Sequence, residues 1–360
     1  MKNIQLTYQL HSSGKRNQRI DNPLIALLQA VQAEGSIAAA ARAMDKSYRH
    51  VWGEFKRWEA QLGQTLLVWD KGQAAQLSPF GTKLLFAERN AQARLAPQIE
   101  ALQTELERSF AMAFEPKSQV LSLYASHDEA LSRLRDHCAG QHLHLDIHFT
   151  GSVDAIRALN EGRCTLAGFH TTLPALQGSL AQRTYQPLLQ PGLHKIIGFA
   201  QRTQGLMVPA GNPQRISCLA DLHDKKLRFA NRALGTGTRL LLDELLAQQQ
   251  IKPSHITGYR KSEPSHTAVA QAVAQGSADA GLGIAAAAAA AGLGFVPLVQ
   301  ERYDLVCLKS ALPHSTVKAL RKQLASAAWQ TQLNTIAGYQ DHQCGQIVPL
   351  TEALPWWEFD

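Results

Sequence analysis

The sequence predicts a two-part chain. An all-α N-terminal head with a short β-hairpin and a long helix is followed by an α/β domain in two lobes. Three observations carry that expectation. Apolar residues recur at helical spacing in three blocks between Pro23 and Leu62, each bounded by a capping or glycine signal. One unbroken helical pattern then runs from Ser78 to about Ala113. Beyond Ser118 strand-like runs alternate with helix starts, the pattern of a sheet wrapped by helices.

The first helix is NPLIALLQAVQA, with Leu24, Leu27, Leu28 and Val31 on one stripe, Asp21 or Asn22 as cap and Pro23 in the first turn. Gly35 ends it, and Ser36 caps a short second helix, SIAAAARAM, whose small side chains allow close packing across a neighbour. Asp45-Lys46-Ser47 leads to a third helix, SYRHVWGEFKRWEAQLG, capped by Ser47 and buried along Val51, Phe55, Trp58 and Leu62. Tyr48, Arg49, His50, Lys56 and Arg57 lie off that stripe, several at the helix start, where a recognition helix meets the major groove. Periodicity alone leaves a plain three-helix bundle with a solvated basic face equally open. The next segment shifts the balance: residues 66–68 and 75–77 are strand-like around the turn signal Asp70-Lys71-Gly72, a wing in its expected place. Ser78-Pro79 opens the long helix. Its stripe of Leu84, Leu85, Leu95, Ile99, Leu102 and Leu106 needs a covering partner, so the chain is expected to dimerise.

Composition narrows the class. At 360 residues the chain suits two or three domains, and 45% hydrophobic with 18% charged residues excludes a disordered chain. The longest apolar run, IAAAAAAAGLG, is too short and too weakly hydrophobic to span a bilayer, so no membrane partner is expected. The N-terminal MKNIQLTYQLHSSGKRNQ lacks a signal core. Cys138, Cys164, Cys218, Cys307 and Cys344 show no CxxC spacing and read as free thiols of a cytoplasmic protein. Of the net charge of +7, Lys and Arg exceed Asp and Glu by four in residues 1–112 and by three in residues 118–360. The shorter segment holding more of the excess points toward a polyanion partner.

GSIAAAARAMDKSYRHVW, then the hairpin, then LSPFGTKLL resembles the winged helix-turn-helix of LysR-type regulators. SYRHVW with its Trp52 is similar to the ModE molybdate-responsive regulators, although the hairpin between Val68 and Leu77 is shorter than the glycine-rich ModE wing. The resemblance covers about residues 20–112. It implies double-stranded DNA as partner, at a palindromic promoter site, bound by a homodimer or a dimer of dimers. The candidate DNA-facing residues are Ser36, Lys46, Ser47, Tyr48, Arg49, His50, Lys56 and Arg57.

Glu115-Pro116-Lys117-Ser118 breaks the long helix. A strand over 120–124 then leads into a helix over 129–137, a strand over 143–149 into a helix over 153–160, and a third strand covers 164–169. Such repeats imply a parallel sheet, in which ligands bind at the carboxyl ends of strands. Ser126 and Ser152 stand at helix starts, where unpaired N–H groups and the dipole favour an anion. The second lobe repeats the device. A strand over 227–231 enters Gly235-Thr236-Gly237-Thr238 at the start of one helix, and Ser265, His266 and Thr267 start another. SADAGLGI is a strand before the alanine-rich helix, and VPLVQERYDLVCL returns the chain to the first lobe. One hydroxyl at a helix start is ordinarily an N-cap, but four at comparable strand ends in two lobes point to a ligand. The GTGT turn lacks the Lys of a P-loop and the glycine spacing of a dinucleotide fingerprint.

Other constellations are weaker. His142, His144, Asp146 and His148 share one strand face, which a metal could use but which reads more simply as a solvated or helix-covered face, so no metal is expected. Ser126-His127-Asp128 are adjacent, which rarely lets side chains converge, and no GxSxG elbow exists, so no catalytic residues are assigned. Arg228, Arg232 and Arg239 either pair with a ligand anion or brace the second lobe.

GLMVPAGNP, LRFANRALGTGTRLLLDELL, GYRKSEPSHTAVAQAVAQGSADAGLGI and FVPLVQERYDLV look like the PBP-like domain related to periplasmic molybdate-binding proteins, over about residues 119–310. That resemblance implies a type II periplasmic-binding-protein fold, no cofactor, and a small oxyanion, molybdate or tungstate, as effector. The candidate ligand residues are Ser126, His127, Thr150, Ser152, Asn231, Gly235, Thr236, Gly237, Thr238, Ser265, His266, Thr267 and Tyr303. The expected domains are a winged helix-turn-helix over 1–78, a linker and dimerisation helix over 79–117, and the ligand domain over 118–360. Within the last, lobe 1 takes about 118–205 and 295–360, and lobe 2 about 206–294. The expected function is a one-component, non-enzymatic transcription factor. One rival is a LysR-type-like regulator of an organic anion. The other is a molybdenum-cofactor biosynthesis or carrier protein binding a pterin, for which a DNA-reading head has no use.

Overall fold

The computed structural model of the chain describes residues 10–11, 19–20, 22–69, 74–114 and 119–357. Asp21, the wing-turn residues Asp70, Lys71 and Gly72, and the helix break at 115–118 lie outside the described residues. The chain divides into two compact units between Gln92 and Ala93.

In the first unit, β1 (Leu10–His11) pairs with β2 (Arg19–Ile20), a hairpin that nothing in the residue pattern announced. Then come α1 (Asn22–Glu34), α2 (Ile37–Ala43), α3 (Tyr48–Leu62), β3 (Leu67–Val68), β4 (Gln76–Leu77) and α4 (Pro79–Phe114). Both expected caps form: Ser36 Oγ accepts the Ala39 N–H at 3.1 Å, and Ser47 Oγ accepts the His50 N–H at 3.1 Å. Gly63 ends α3 in the left-handed region, φ 64°, where a side chain would be strained. Leu24, Leu28, Val51, Phe55, Trp58 and Leu66 close the core, and β3 with β4 forms the antiparallel wing against it. The residues of α4 fall on both sides of the division between the units. Beyond that division Leu95 and Leu102 are exposed at 48% and 47%.

The second unit continues with β5 (Gln119–Ala125), α5 (Glu129–Ala139), β6 (Leu143–Phe149), α6 (Ser152–Asn160), β7 (Leu166–Thr172), α7 (Leu180–Tyr185) and β8 (His194–Val208). Next are α8 (Ala220–Asp224), β9 (Phe229–Arg232), α9 (Gly237–Gln248), β10 (Ser262–Glu263), α10 (His266–Ala274), β11 (Ala280–Ile284), α11 (Ala285–Ala290) and β12 (Gly294–Leu308). α12 (Ser315–Leu324), α13 (Ala327–Asn334), β13 (Tyr339–Asp341), β14 (Ile347–Pro349) and α14 (Leu350–Ala353) complete it.

Its sheet runs β10-β9-β11-β8-β12-β7-β5-β6, with β13 and β14 also on β8. β5 is parallel to β6 and β7, and β9 to β10 and β11, as the strand-turn-helix units require. The sheet as a whole is mixed, which corrects the expected parallel one. The reason is the way between the lobes: β8 takes the chain out and β12 brings it back, 15 residues each, so they pair antiparallel. β12 carries register shifts against β8 at Pro297/Val299 and Tyr303/Asp304. Lobe 1 packs Ile156, Leu159, Phe169, Ile196 and Val306 into one core, and lobe 2 packs Leu206, Val208, Phe229, Leu242 and Leu282 into another. Among the described residues no single helix is long and apolar enough to cross a membrane.

Candidate DNA-binding face and ligand cleft

The start of α3 presents Lys46, Tyr48, Arg49 and His50, all exposed, with no carboxylate against Lys46 or Arg49 among the described residues. Lys56 and Arg57 are placed differently from the expected DNA-facing set. Lys56 pairs with Glu59 at 2.8 Å and Arg57 with Glu54, so both charges are answered on their own helix. Lys56 Nζ also sits 4.7 Å from the Trp52 ring and 5.4 Å from that of Trp69. Ser36 and Ser47 are committed as caps.

The cleft between the two lobes gathers an unusual set of buried polar atoms. Ser126 Oγ, His170 Nε2, Thr171 Oγ1, Gln204 Oε1, Arg232 Nε, His266 Nδ1 and Tyr303 OH have no hydrogen-bond partner. Buried polar groups in folded proteins are paired with few exceptions, so such a concentration requires an explanation. Ser152 Oγ lies 3.3 Å from His170 Nδ1, and the His170 ring stacks on Tyr303 at 3.9 Å. On the other side Thr238 Oγ1 accepts from Gln204 Nε2 at 3.0 Å and stands 3.4 Å from His266 Nε2. Burial, with the Arg202 and Arg232 cations adding to it, holds the His170 and His266 imidazoles well below the usual histidine range. Both rings are neutral near pH 7. Arg232 is 2% exposed, donates from Nη1 to the Glu263 carbonyl at 3.1 Å, and has no carboxylate partner among the described residues. Burial, and the Arg202 charge after it, pull its guanidinium down to about 9.

Several expected ligand residues also carry hydrogen bonds of the fold. Asn231 donates to the Tyr259 carbonyl and accepts the Arg232 N–H. Thr236 Oγ1 accepts the Arg239 N–H and donates to the Ala233 carbonyl, and Ser265 Oγ accepts the Ala268 N–H and donates to the Ala93 carbonyl. These three side chains act as turn braces and caps. Gly235 and Gly237 supply backbone at the cleft, Thr150 is half-buried beside it, and Thr267 is exposed. His127 and Thr267 line a cavity of about 270 Å³ together with Asp128, His266, Ala287 and Ile336.

Residues 133–325 match the PBP superfamily domain, and residues 24–82 match the bacterial regulatory helix-turn-helix protein, lysR family. The first match spans more than half of the chain. The chain belongs to the PBP superfamily. Its PBP superfamily domain is preceded by a segment similar to the lysR-family helix-turn-helix. The chain is 31% identical over 200 residues to the uncharacterized protein YvgK of Bacillus subtilis, covering 56% of this chain and 64% of that one. It therefore spans less than two thirds of that relative's length. A second relative, an uncharacterized protein from the 5′ region of a ferredoxin 2Fe-2S gene of Clostridium pasteurianum, is 34% identical over 110 residues, 30% of this chain and 97% of that one. Among solved structures, full-length BenM matches 84% of this chain and 95% of its own at 14% identity and a TM-score of 0.42. A putative phosphate ABC transporter substrate-binding protein with bound phosphate from Clostridium perfringens matches 62% of this chain and 100% of its own, at 13% identity and a TM-score of 0.49.

The PBP-like domain also contains a group that the residue pattern did not single out. Arg202, at the crossing on β8, pairs with Asp128 at the start of α5 and with Glu301 on β12, and donates to Tyr339 OH at 3.3 Å. Gln204 joins the same network by donating to Glu301 at 2.8 Å. A lone Arg in a strand gives no signal in sequence that its partners arrive from three other elements. His148 lies 3.7 Å from Asp146 on β6, and among the described residues no group of three metal-ligating side chains assembles.

Proposed function

We propose that the PBP-like domain of this regulator senses a small anion held between its lobes, with molybdate or tungstate as the leading effector. The observation that carries the anion is Arg232. An unpaired cation in so buried a position costs several kcal/mol, a cost that a bound anion removes. Two uncharged imidazoles, His170 and His266, lie within reach of its charge, and the domain buries further neutral donors without a partner, the hydroxyls of Ser126, Thr171 and Tyr303. Donors of this kind in a dry cleft favour a tetrahedral dianion over a more strongly hydrated, partly protonated phosphate. The ModE-like SYRHVW at the start of α3 supports the same pair of metal oxyanions. The regulator works as a homodimer joined through α4, whose exposed Leu95 and Leu102 support that reading, and reads a palindromic promoter site.

A second reading is an organic anion, and the adjoining cavity favours it. At about 270 Å³ the cavity has room for more than a bare tetrahedral ion. Calorimetry with molybdate, tungstate, sulfate, phosphate and small carboxylates separates the two. The expected result is binding of one class by the wild type and a loss of at least about tenfold, ~1.4 kcal/mol, in Arg232→Met. Equal affinity in Arg232→Met removes Arg232 from the site, and binding of no anion at all ends the proposal.

A further inference from the structure

We infer that Tyr48, Trp52 and Trp69 form an apolar wall that packs on duplex DNA, against the deoxyribose and thymine-methyl surfaces beside the groove that α3 enters. The inference rests on the helix-turn-helix reading and adds to it a contact by shape rather than charge. Among the described residues of the first unit, the exposed large apolar side chains are Tyr48 at 52%, Val68 at 43% and Trp69 at 45%. All three lie at the start of α3 or at the wing. Tyr48 stacks on Trp52 with the planes 7° apart and the centroids 6.4 Å apart, and Trp52 meets Trp69 edge-on at 5.2 Å. The three rings therefore form one continuous surface from the first residue of α3 to the wing.

That surface is braced by Lys56 and Glu59. Lys56 lies over both tryptophan rings and pairs with Glu59, whose Oε1 accepts the backbone N–H groups of Leu66 at 2.8 Å and Leu67 at 3.2 Å. Rings held in place before binding lose little freedom on contact, which favours their use as a binding surface. The surroundings select the occupant. Arg42, Lys46 and Arg49 are exposed cations with no carboxylate partner among the described residues. A wall flanked by unpaired cations suits a polyanion that also presents apolar faces. Duplex DNA does so through its sugars and through the C5-methyl of thymine in the major groove.

The experiment uses the full chain and a duplex that the wild type selects from a random pool. Affinities are measured across a salt series for wild type, Trp69→Ala, Trp69→Phe and Arg49→Ala, with thermal unfolding of each. Trp69→Ala is expected to bind roughly tenfold more weakly with an unchanged slope of log K on log salt, because an apolar contact releases no counterions. Trp69→Phe is expected to keep most of the affinity, and Arg49→Ala to flatten the slope. Replacing thymine by deoxyuridine throughout the selected duplex is expected to weaken the wild type more than Tyr48→Ala. Trp69→Ala binding as tightly as wild type overturns the wall, as does a loss accompanied by a flatter slope. Intact DNA binding with a changed oligomeric state in Trp69→Ala overturns it in favour of a protein contact. A wild type that selects no duplex overturns instead the DNA-binding reading beneath it.

Discussion

Arg202 and Arg232 occupy the same cleft and differ in what answers them. Arg202 has Asp128 and Glu301, whereas Arg232 has a single carbonyl. The sequence placed Arg228, Arg232 and Arg239 on equal terms, and the fold separates them. Arg228 pairs with Asp279 at 2.7 Å and Arg239 with Asp243 at 3.1 Å, which leaves Arg232. That distinction was not legible, because ion pairing is decided by residues brought from elsewhere in the chain. The buried histidines give a test that needs no ligand. Their folded pKa lies below the unfolded value near 6.5, so on acidification the unfolded chain takes up protons that the fold refuses. Stability is therefore present above about pH 6.5 and lost below it, at up to about 1.4 kcal/mol per pH unit for each ring. Asp304 works in the opposite sense, since burial raises its carboxyl to about 6 and acidification relieves it. Comparing variants cancels that contribution. Between pH 7 and 5 the melting temperature of His170→Asn and of His266→Asn is expected to fall less than that of wild type. Parallel curves would falsify the assignment of neutral, buried imidazoles.

At the scale of elements, the join between α3 and the wing depends on one carboxylate. Burial pushes the Glu59 carboxyl up, but Lys56 and the amides of Leu66 and Leu67 outweigh it and hold it below the usual range. Its contribution is thus present above the unfolded value near 4.3 and lost as pH falls through the folded one. Glu59→Ala leaves the N–H groups of two buried residues, Leu66 and Leu67, without their partner. A loss of about 1–3 kcal/mol is expected in thermal unfolding, with weaker DNA binding because the wing is no longer pinned. An unfolding curve matching that of wild type would show that the carboxylate does not hold the wing. The helices of this unit were legible because Ser36, Ser47, Gly35 and Gly63 punctuate strong apolar stripes. Glu59 was not, since a charged residue near the end of a helix gives no sign that its partners lie seven and eight residues on. β8 escaped for a related reason. HKIIGFAQRTQGLMV interrupts its apolar ends with a polar middle, and that middle is the crossing between lobes.

Across the whole PBP-like domain, the two lobes could be read from the sequence and their closeness could not. Strand-turn-helix repeats located both lobes, but no residue pattern states that Gly151 of one meets Gly235 of the other. A Cβ added at Gly151 would lie 2.5 Å from the Gly235 carbonyl oxygen. The Gly151 backbone itself, at φ −70° and ψ 155°, accepts any residue, so alanine is tolerated locally and opposed only across the cleft. Gly151→Ala therefore isolates lobe closure from folding. If the anion is held by donors from both lobes, the substitution props them apart at a cost of roughly 1–3 kcal/mol, which is about 5- to 150-fold in affinity. Calorimetry with the effector that wild type binds, alongside small-angle scattering with and without it, reads both halves of the expectation. Weaker binding should accompany a smaller contraction of the domain. Should Gly151→Ala bind as tightly as wild type and contract as far, the anion does not draw these two turns together. Arg232 would then act from within the second lobe alone.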